Sequence, residues 1–270
     1  MEELKNIKVA LLGSGTVGTG VYKLIERQRE ELPHKVGAGL TVSKVLVRDK
    51  NKKRDGIDPS VLTDQWEDII TDDEIQIVVE VMGGIEPART YITEALQAGK
   101  NVVTANKDLM AVHGGELLDI ASHNGCDLLF EASVAGGIPI IRPLKQCLAG
   151  NYISEAMGIV NGTTNFILTK MTHEGMEFDE ALALATELGY AEADPTADIE
   201  GYDAGRKMAI MASIAFNSRV TFDDVYTEGI TNITAKDING KSVTGWVLDD
   251  YLTATPPSRA VPVGIGPDVG

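Results

Sequence analysis

Residues 8–29 read KVALLGSGTVGTGVYKLIERQR, and this stretch indicates the fold of the first half of the chain. It begins with a short apolar run typical of a buried strand, and its last part, 19–29, has apolar residues at helical spacing. Between them lies Gly13-x-Gly15-x-x-Gly18, whose glycines permit a tight turn, close approach of backbone to a pyrophosphate, and packing of helix on strand. Because a strand precedes this motif and a helix follows it, we predict a dinucleotide site, with an ordinary strand-helix turn as the alternative.

Outward from this turn, strands and helices alternate along the chain. Apolar runs and helical periodicity predict strands at 41–47, 75–82, 101–104 and 127–131, and helices at 88–98 and 115–123. Such alternation is typical of a parallel α/β sheet with crossover helices. We therefore predict an α/β fold with a Rossmann-type, dinucleotide-binding domain over residues 1–134.

The pattern changes after Glu131, where the glycine- and proline-containing stretch 135–139 interrupts the alternation. Beyond it, periodicity predicts one strand at 153–160 and helices at 138–149, 165–174, 179–188 and 199–216. We assign residues 135–237 to a second domain of the α+β class. Residues 238–270 are rich in Gly, Pro, Thr and Ser and have no helical period, so we expect a divergent, poorly ordered tail.

Composition excludes several classes of protein. The 270 residues have a net charge of -16, and an excess of acid disfavours nucleic acid, because phosphate binding needs clustered Lys and Arg. No apolar stretch reaches membrane-spanning length, and the first apolar run is too short for a signal peptide. Cys126 and Cys147 lack the spacing of a metal site and are too few for a disulfide framework. We expect a cytoplasmic protein with a small-molecule substrate.

The end of the second predicted strand bears on the choice of cofactor. Residues 45–50 read VLVRDK, and an arginine at this place accommodates the 2′-phosphate of NADP, whereas an acid binds the ribose hydroxyl of NAD. Arg48 and the basic residues at 50–54 favour NADP, while Asp49 leaves NAD open. A solvated, charged loop would have the same composition.

Two lysines are candidates for catalysis. Lys107 directly follows a predicted strand, at the sheet edge where α/β folds bind ligands, although its spacing alone fits an ordinary lysine at a helix start. Asp203 and Lys207 are four residues apart and share one face of a predicted helix, as in a surface ion pair. The acidic residues near them, from Glu192 onward, could receive a cationic amino group. These residues alone indicate an oxidoreductase with a carboxylate-lined site.

Longer segments identify a family that this chain resembles. They occur in order from about residue 7 to 237 and are VEVMGGIEPAR (79–89), NVVTANKDL (101–109), LLFEASVAGGIPIIRPL (128–144), GIVNGTTNFILTKM (158–171), LGYAEADPTADIEGYDAGRK (188–207) and TEGITNIT (227–234). Several are long and unusual, and together they resemble the homoserine dehydrogenases. The resemblance implies reversible, NAD(P)-dependent interconversion of L-homoserine and L-aspartate 4-semialdehyde, on the route to threonine and methionine, by a homodimer.

The resemblance also implies roles for individual residues. Lys107 and Lys207 would be the active-site lysines, one exchanging a proton with the substrate hydroxyl, and Glu192 and Asp203 would bind the substrate's amino and hydroxyl ends. The residues implied in binding NADP or NAD are Gly13, Gly15, Thr16, Val17, Gly18, Arg48, Lys107 and Gly189, with Gly189 lining the cleft for the substrate as well. A structural sodium ion would be held by Glu131, Val134, Gly136 and Ile138, through a carboxylate and backbone carbonyls.

The tail departs from the family. From about Ile238 the sequence resembles neither the family's continuation, which returns to the Rossmann domain, nor the regulatory ACT domain of many members. This leaves a second hypothesis, a truncated, catalytically impaired module that binds nucleotide or dimerises. A dehydrogenase acting on another amino-acid aldehyde is a third.

Overall fold

The computed structural model describes residues 5–233, and the chain divides into two compact units between Ser133 and Val134. The tail predicted at 238–270 lies outside the described residues.

The first unit is built on one parallel sheet, which confirms the predicted α/β class. Its strands are β1 Asn6–Leu12, β2 Gly39–Leu46, β3 Leu62–Thr63, β4 Ile75–Glu80, β5 Asn101–Thr104 and β6 Leu128–Leu129. Their order is β3-β2-β1-β4-β5-β6, and every neighbouring pair is parallel. This is the order in which dinucleotides bind at the crevice between β1 and β4, where the direction of winding reverses.

Helices connect these strands. They are α1 Thr16–Arg27, α2 Leu32–Val36, α3 Glu67–Ile70, α4 Ala88–Gln97 and α5 Lys107–His123. Val9 and Leu11 of β1 pack with Val42 and Val45 of β2 and with Tyr22 of α1, so the core seats α1 against the sheet.

Two details of this unit differ from the sequence-based prediction. The last helix begins at Lys107 rather than at Gly115, because Asn106 caps it by accepting a hydrogen bond from the N–H of Leu109 at 3.1 Å. The short strand β3 and the short helices α2 and α3 were not predicted, since none of them is long enough to show a period, and the stretch 30–39 that contains α2 was expected to be a loop.

The second unit is helical over the part of the chain that the structure describes. It contains a π-helical turn, Pro143–Cys147, and the helices α6 Gly162–Glu174, α7 Phe178–Glu187, α8 Thr196–Ile199 and α9 Tyr202–Ala215. Ile167 and Met171 of α6 pack against Ala181 and Ala185 of α7 in its core. No helix within residues 5–233 is long and apolar enough to cross a membrane.

Three predictions for this unit were wrong. The strand expected at 153–160 is reduced to a single bridge position, Ala156, because no neighbouring strand among the described residues pairs with it. The helix expected at 199–216 is broken at Gly201, which has φ +78° and lies so close to Glu228 that a Cβ atom would be 2.8 Å from its carbonyl oxygen. The helix expected at 138–149 is only the short turn that contains Pro143–Cys147.

Candidate active site

The glycine turn after β1 has the geometry of a dinucleotide cradle. Gly13 has φ +106°, and a Cβ atom there would lie 3.1 Å from the carbonyl oxygen of Val81. A Cβ on Gly18 would lie 2.2 Å from the carbonyl oxygen of Gly13, so only glycine fits without a shift of the backbone. Nothing lies within 4 Å of the Cβ position of Gly15, which leaves open space beside the N-terminus of α1. Free N–H groups at a helix N-terminus bind phosphate, so this turn fits a dinucleotide.

The next two candidate residues, Thr16 and Val17, form the exposed first turn of α1. Val17 keeps 54% of its surface exposed, although it is apolar. Gly15 provides no side-chain cap for this helix, so its first N–H groups have no side-chain acceptor from the cap residue. Both features fit a bound group that covers the turn.

A basic residue that the sequence analysis did not single out reaches the glycine turn. The Nε of Arg54 donates to the Oγ of Ser14 at 2.6 Å, and its Nη1 donates to the carbonyl oxygens of Asp49 and Lys52 at 2.9 and 2.6 Å. Arg48, the predicted residue, follows β2, is exposed, and makes no hydrogen bond or ion pair with another residue of the described range. A run of basic residues was visible in the sequence, but not which of them folds back on residue 14.

Lys107 is the first residue of α5 and lies just beyond the carboxyl end of β5. The turn before it is fixed by Asn106, whose Nδ2 donates to the carbonyl oxygen of Gly84 at 2.6 Å. Behind both lies Glu80, fully buried at the end of β4, which accepts hydrogen bonds from Met82, Gly83 and Thr104. Sequence analysis missed Glu80, because a glutamate within a strand looks like any polar residue until its burial is known.

The structure joins two of the predicted residues in the second unit. The Nζ of Lys207 donates to the Oδ2 of Asp203 at 2.5 Å and to the carbonyl oxygen of Val160 at 2.7 Å. Asp203 is only 6% exposed, and the side chain of Lys207 is 17% exposed. The alternative of a solvated surface ion pair is therefore excluded for these residues.

Asn161 organises this pair and was not a predicted site residue. Its Nδ2 donates to the Oδ1 of Asp198 at 2.7 Å and to the Oδ2 of Asp203 at 2.9 Å. Its Oδ1 accepts from the N–H of Thr164 at 2.8 Å and so caps α6. The sequence signal was an asparagine before a helix, which indicates a cap but not its bridging of two carboxylates.

The acidic loop before α8 is only partly connected to this cluster. Gly189 has φ +78°, and Thr163 holds the neighbouring Tyr190 by donating to its carbonyl oxygen at 2.8 Å. Hydrogen bonds from the Thr196 hydroxyl and backbone N–H lower the pKa of Asp194, which is therefore bound within its own turn. Glu192 is exposed, and no hydrogen bond or ion pair within residues 5–233 connects it to Asp203 or Lys207.

The stretch predicted to hold sodium contains suitable oxygen atoms. The carbonyl oxygens of Val134, Gly136 and Ile138 accept no hydrogen bond from the described residues, whereas that of Ala135 accepts from the N–H of Ile138 at 2.7 Å. Ala135 has φ +50°, which turns the chain out of any regular element. Carboxylate and carbonyl oxygens are the ligands that hard cations prefer, so these residues fit such an ion chemically. Among described residues there is no group of three or more His, Cys, Asp or Glu placed to hold a metal.

Comparisons with known proteins match both units. A family model for the homoserine dehydrogenase NAD-binding domain matches residues 13–131, and one for homoserine dehydrogenase matches 139–256, which extends into the tail that we expected to diverge. A homoserine dehydrogenase of Bacillus subtilis is 52% identical over 246 residues, which are 91% of this chain and 57% of that protein. The chain therefore spans little more than half the length of this curated relative.

Solved structures that resemble this chain are also homoserine dehydrogenases. The homoserine dehydrogenase of Thiobacillus denitrificans has a TM-score of 0.82 at 46% identity, covering 87% of this chain and 55% of that one. A putative homoserine dehydrogenase of Archaeoglobus fulgidus has a TM-score of 0.74 at 34% identity, covering 86% of this chain and 75% of that one. A hyperthermophilic archaeal homoserine dehydrogenase in complex with NADPH has a TM-score of 0.71 at 29% identity, covering 85% and 76%.

Proposed function

The chain belongs to the homoserine dehydrogenase family, and from this we propose that it interconverts L-homoserine and L-aspartate 4-semialdehyde with NAD(P). The observation that carries the proposal is the ion pair between the buried Asp203 and the largely enclosed Lys207, with Asn161 bonded to Asp203. An enclosed ammonium next to a substrate oxygen is what proton exchange with a hydroxyl or carbonyl requires.

Lys207 is the residue to which we assign the proton transfer. An ammonium has three donors, and within residues 5–233 Lys207 uses them on only two acceptors, Asp203 and Val160. The remaining N–H can therefore point to the substrate oxygen. In aldehyde reduction the ammonium gives a proton to the oxygen as the hydroxyl forms and becomes a neutral amine, and in alcohol oxidation the neutral amine takes the proton of the hydroxyl. Asp203 orients the ammonium, and Glu192 is the carboxylate proposed for the substrate's amino group.

The first unit supplies the residues for the nucleotide. Gly13, Gly15 and Gly18 give the pyrophosphate access to the N-terminus of α1, and the backbone of Thr16 and Val17 provides the N–H groups. When bound, the nicotinamide accepts or donates the hydride. Arg48 follows β2 at the place where an arginine accommodates a 2′-phosphate, so it favours NADP. The relative found with NADPH supports the same cofactor class.

Lys107 is proposed as the second active-site lysine. It is the first residue of a helix, where the helix dipole disfavours a positive charge by about 0.3–1 kcal/mol. A lysine therefore does not stabilise this helix end, which supports a role in binding or catalysis. Gly189, at the end of α7, is proposed to line the cofactor and the substrate.

A sodium ion is proposed at Glu131, Val134, Gly136 and Ile138. The three free carbonyl oxygens support it, because a hard cation would satisfy them. Exchange of sodium for a large organic cation in the buffer should then lower the thermal unfolding temperature. An unchanged unfolding temperature would count against the ion.

The setting follows from the proposed reaction. It is a step towards threonine and methionine, which places the protein in the cytoplasm, where free thiols such as Cys126 and Cys147 stay reduced. We also propose that the protein is a homodimer formed through the second unit. The domains are proposed to extend over residues 1–134 and 135–237. Sedimentation at several protein concentrations tests the dimer.

A direct assay tests the function. The full chain is mixed with L-homoserine and NADP, and the reduced nicotinamide is followed by its absorbance. Lys207→Ala should lower kcat by about 10²–10⁴, the usual contribution of a general acid or base, while NADPH binding measured by fluorescence stays intact. Lys170→Ala is the matched control, since Lys170 pairs with Glu174 at the same four-residue separation on α6.

Three other results would contradict the proposal or the role given to Lys207. NADPH binding without any homoserine-dependent turnover would favour the impaired nucleotide-binding module. Turnover of another amino-acid alcohol in preference to homoserine would point to a different substrate. Equal kcat for Lys207→Ala and Lys170→Ala would remove Lys207 from the mechanism, and Lys107→Ala would then be compared.

A further inference from the structure

Glu80 is completely buried at the carboxyl end of β4, although removal of a carboxylate from water is unfavourable unless hydrogen bonds replace its hydration. Its Oε1 accepts from the backbone N–H groups of Met82 at 2.7 Å and Gly83 at 3.2 Å. Its Oε2 accepts from the Oγ1 of Thr104 at 2.7 Å. The carboxylate is therefore bound by the loop after its own strand and by the end of the next strand.

The connection continues from Thr104 into the turn before α5. The Oγ1 of Thr104 accepts from the N–H of Asn106 at 3.0 Å, and the Nδ2 of Asn106 donates to the carbonyl oxygen of Gly84 at 2.6 Å. Gly84 follows the two residues that donate to Glu80, so the hydrogen bonds close into a ring. This ring is called the Glu80 ring below and consists of Glu80, the 82–84 loop, Thr104 and Asn106.

Both ends of the Glu80 ring adjoin residues with a proposed role. On one side, the Cβ position of Gly13 is 3.2 Å from the Cγ of Met82, so the 82–84 loop lies against the glycine turn. On the other side, Asn106 is the cap of α5, and Lys107 follows it. The hydrogen bonds of the ring therefore link the position of the 82–84 loop to the position of the turn before Lys107.

We propose that Glu80 is a positioning residue, which sets the place of Lys107 at the sheet edge through Thr104 and Asn106. The inference rests on the function proposed above and concerns how that site is held. A carboxylate suits this role because it only accepts hydrogen bonds, so all three donors must face it and a single arrangement is specified. The neutral amide of glutamine would have to turn its nitrogen towards Thr104 and reverse that bond.

Thr104→Val tests the proposal by breaking the ring with little change of shape. It removes the donor to Glu80 and the acceptor of Asn106. Thr63→Val is the matched control, since Thr63 is also a buried threonine at a strand end whose hydroxyl donates to a carboxylate, that of Asp68 at 2.5 Å. We expect Thr104→Val to lower kcat roughly tenfold relative to Thr63→Val, because small misplacement of a reacting group has large effects on rate. The KM for NADPH should stay within about a factor of two, since the glycine turn itself is intact.

A double substitution shows whether the effect passes through Lys107. If the ring acts by positioning that lysine, Thr104→Val should lower the residual rate no further in a Lys107→Ala background. An undiminished loss in that background would overturn the proposal, as would equal kcat for the two threonine variants. Should Thr104→Val not fold, Glu80→Gln takes its place, with the same expected loss of kcat.

Hydrogen exchange separates a failure of this inference from a failure of the proposed function. In Thr104→Val, amides in both 82–84 and 105–109 should exchange faster than in the wild type, whether or not homoserine is turned over. Unchanged exchange in the 82–84 loop would show that the Glu80 ring does not link this loop to the turn before Lys107, and would overturn the inference. Absence of homoserine turnover in the wild type would instead refute the function, and the exchange result would still decide the coupling.

Discussion

At the scale of single residues, the cradle proposed for the nucleotide depends on Gly18, which has no Cβ atom. The Cβ position of Gly18 lies 2.2 Å from the carbonyl oxygen of Gly13, and a real carbon cannot approach backbone so closely. Helix α1 therefore packs against the turn only with glycine at this position. The N-terminus of α1, proposed above to bind the phosphates, depends on this close approach.

Gly18→Ala should push α1 away from the turn, lower stability by about 1–3 kcal/mol as overpacking does, and weaken NADPH binding. Gly20→Ala is the control, because Gly20 lies in the same helix with nothing within 4 Å of its Cβ position. It should raise stability by about 0.5–1 kcal/mol, since alanine loses less entropy in a helix. Urea unfolding measures the stability of the two variants, and NADPH titration measures their affinity for the cofactor. Equal NADPH affinity for the two variants would contradict the role of Gly18.

Asn161 combines a helix cap and a bridge between two carboxylates in one side chain. Asn161→Ser keeps an oxygen that can cap α6 but lacks the amide that bridges Asp198 and Asp203. We expect kcat for homoserine to fall strongly, while stability falls less than in Asn161→Ala, which also loses the cap, worth about 0.5–2 kcal/mol. Steady-state kinetics and urea unfolding separate the two effects. Normal turnover of Asn161→Ser would show that the bridge is dispensable.

At the scale of elements, an ion pair joins α4 and α5, the helices that precede and follow β5 along the chain. Nη2 of Arg89 on α4 donates to both carboxylate oxygens of Glu116 on α5 at 2.8 Å. These hydrogen bonds lower the pKa of Glu116, because they stabilise its charged form. They also help to fix α5, the helix that begins with Lys107.

Glu116→Gln should reduce stability at neutral pH and have little effect in acid. The folded-state pKa of Glu116 is below its unfolded value, so its contribution is present above the unfolded pKa and is lost as pH falls through the folded pKa. Urea unfolding at several pH values measures this difference. Glu26→Gln is the control, an exposed glutamate of α1 without an ion pair to another described residue. A difference from wild type that persists at low pH would show that lost packing, not charge, is responsible.

At the scale of the whole molecule, net charge limits the partners. The chain has a charge of -16, so its average field repels polyanions, and a dinucleotide must rely on local N–H groups and basic side chains such as Arg54. The relatives are longer than this chain, which spans 57% of the Bacillus subtilis protein.

Random-sequence duplex DNA should not bind this protein at low salt, because no excess of basic residues can release counterions from phosphates. An electrophoretic mobility assay at low and high salt measures this, with a basic protein of similar size as the positive control. A retarded band that disappears at high salt would contradict the expectation.

The sequence by itself determined the features that depend on neighbours along the chain. The motif in 8–29 predicted the glycine turn, the alternation of strands and helices predicted the parallel sheet, and the i,i+4 spacing placed Asp203 and Lys207 on one face, because these patterns are local. The helix broken at Gly201 and the absent strand at 153–160 failed for the opposite reason, since a close approach and a missing partner are not local.

Only the tertiary structure decided which polar side chains, distant along the chain, form hydrogen bonds with one another. Glu80 bonds Thr104 across 24 residues, Arg54 bonds Ser14 across 40, and Asn161 bonds Asp203 across 42. A single sequence contains no period at such separations, so Glu80, Arg54 and Asn161 each looked like an ordinary polar residue of a strand, loop or helix end. Burial distinguishes Glu80 and Asn161, because it forces a polar group to find a partner, whereas Arg54 and Ser14 are only partly buried. For the predicted pair of Asp203 and Lys207 the spacing was already known, and burial excluded the surface ion pair.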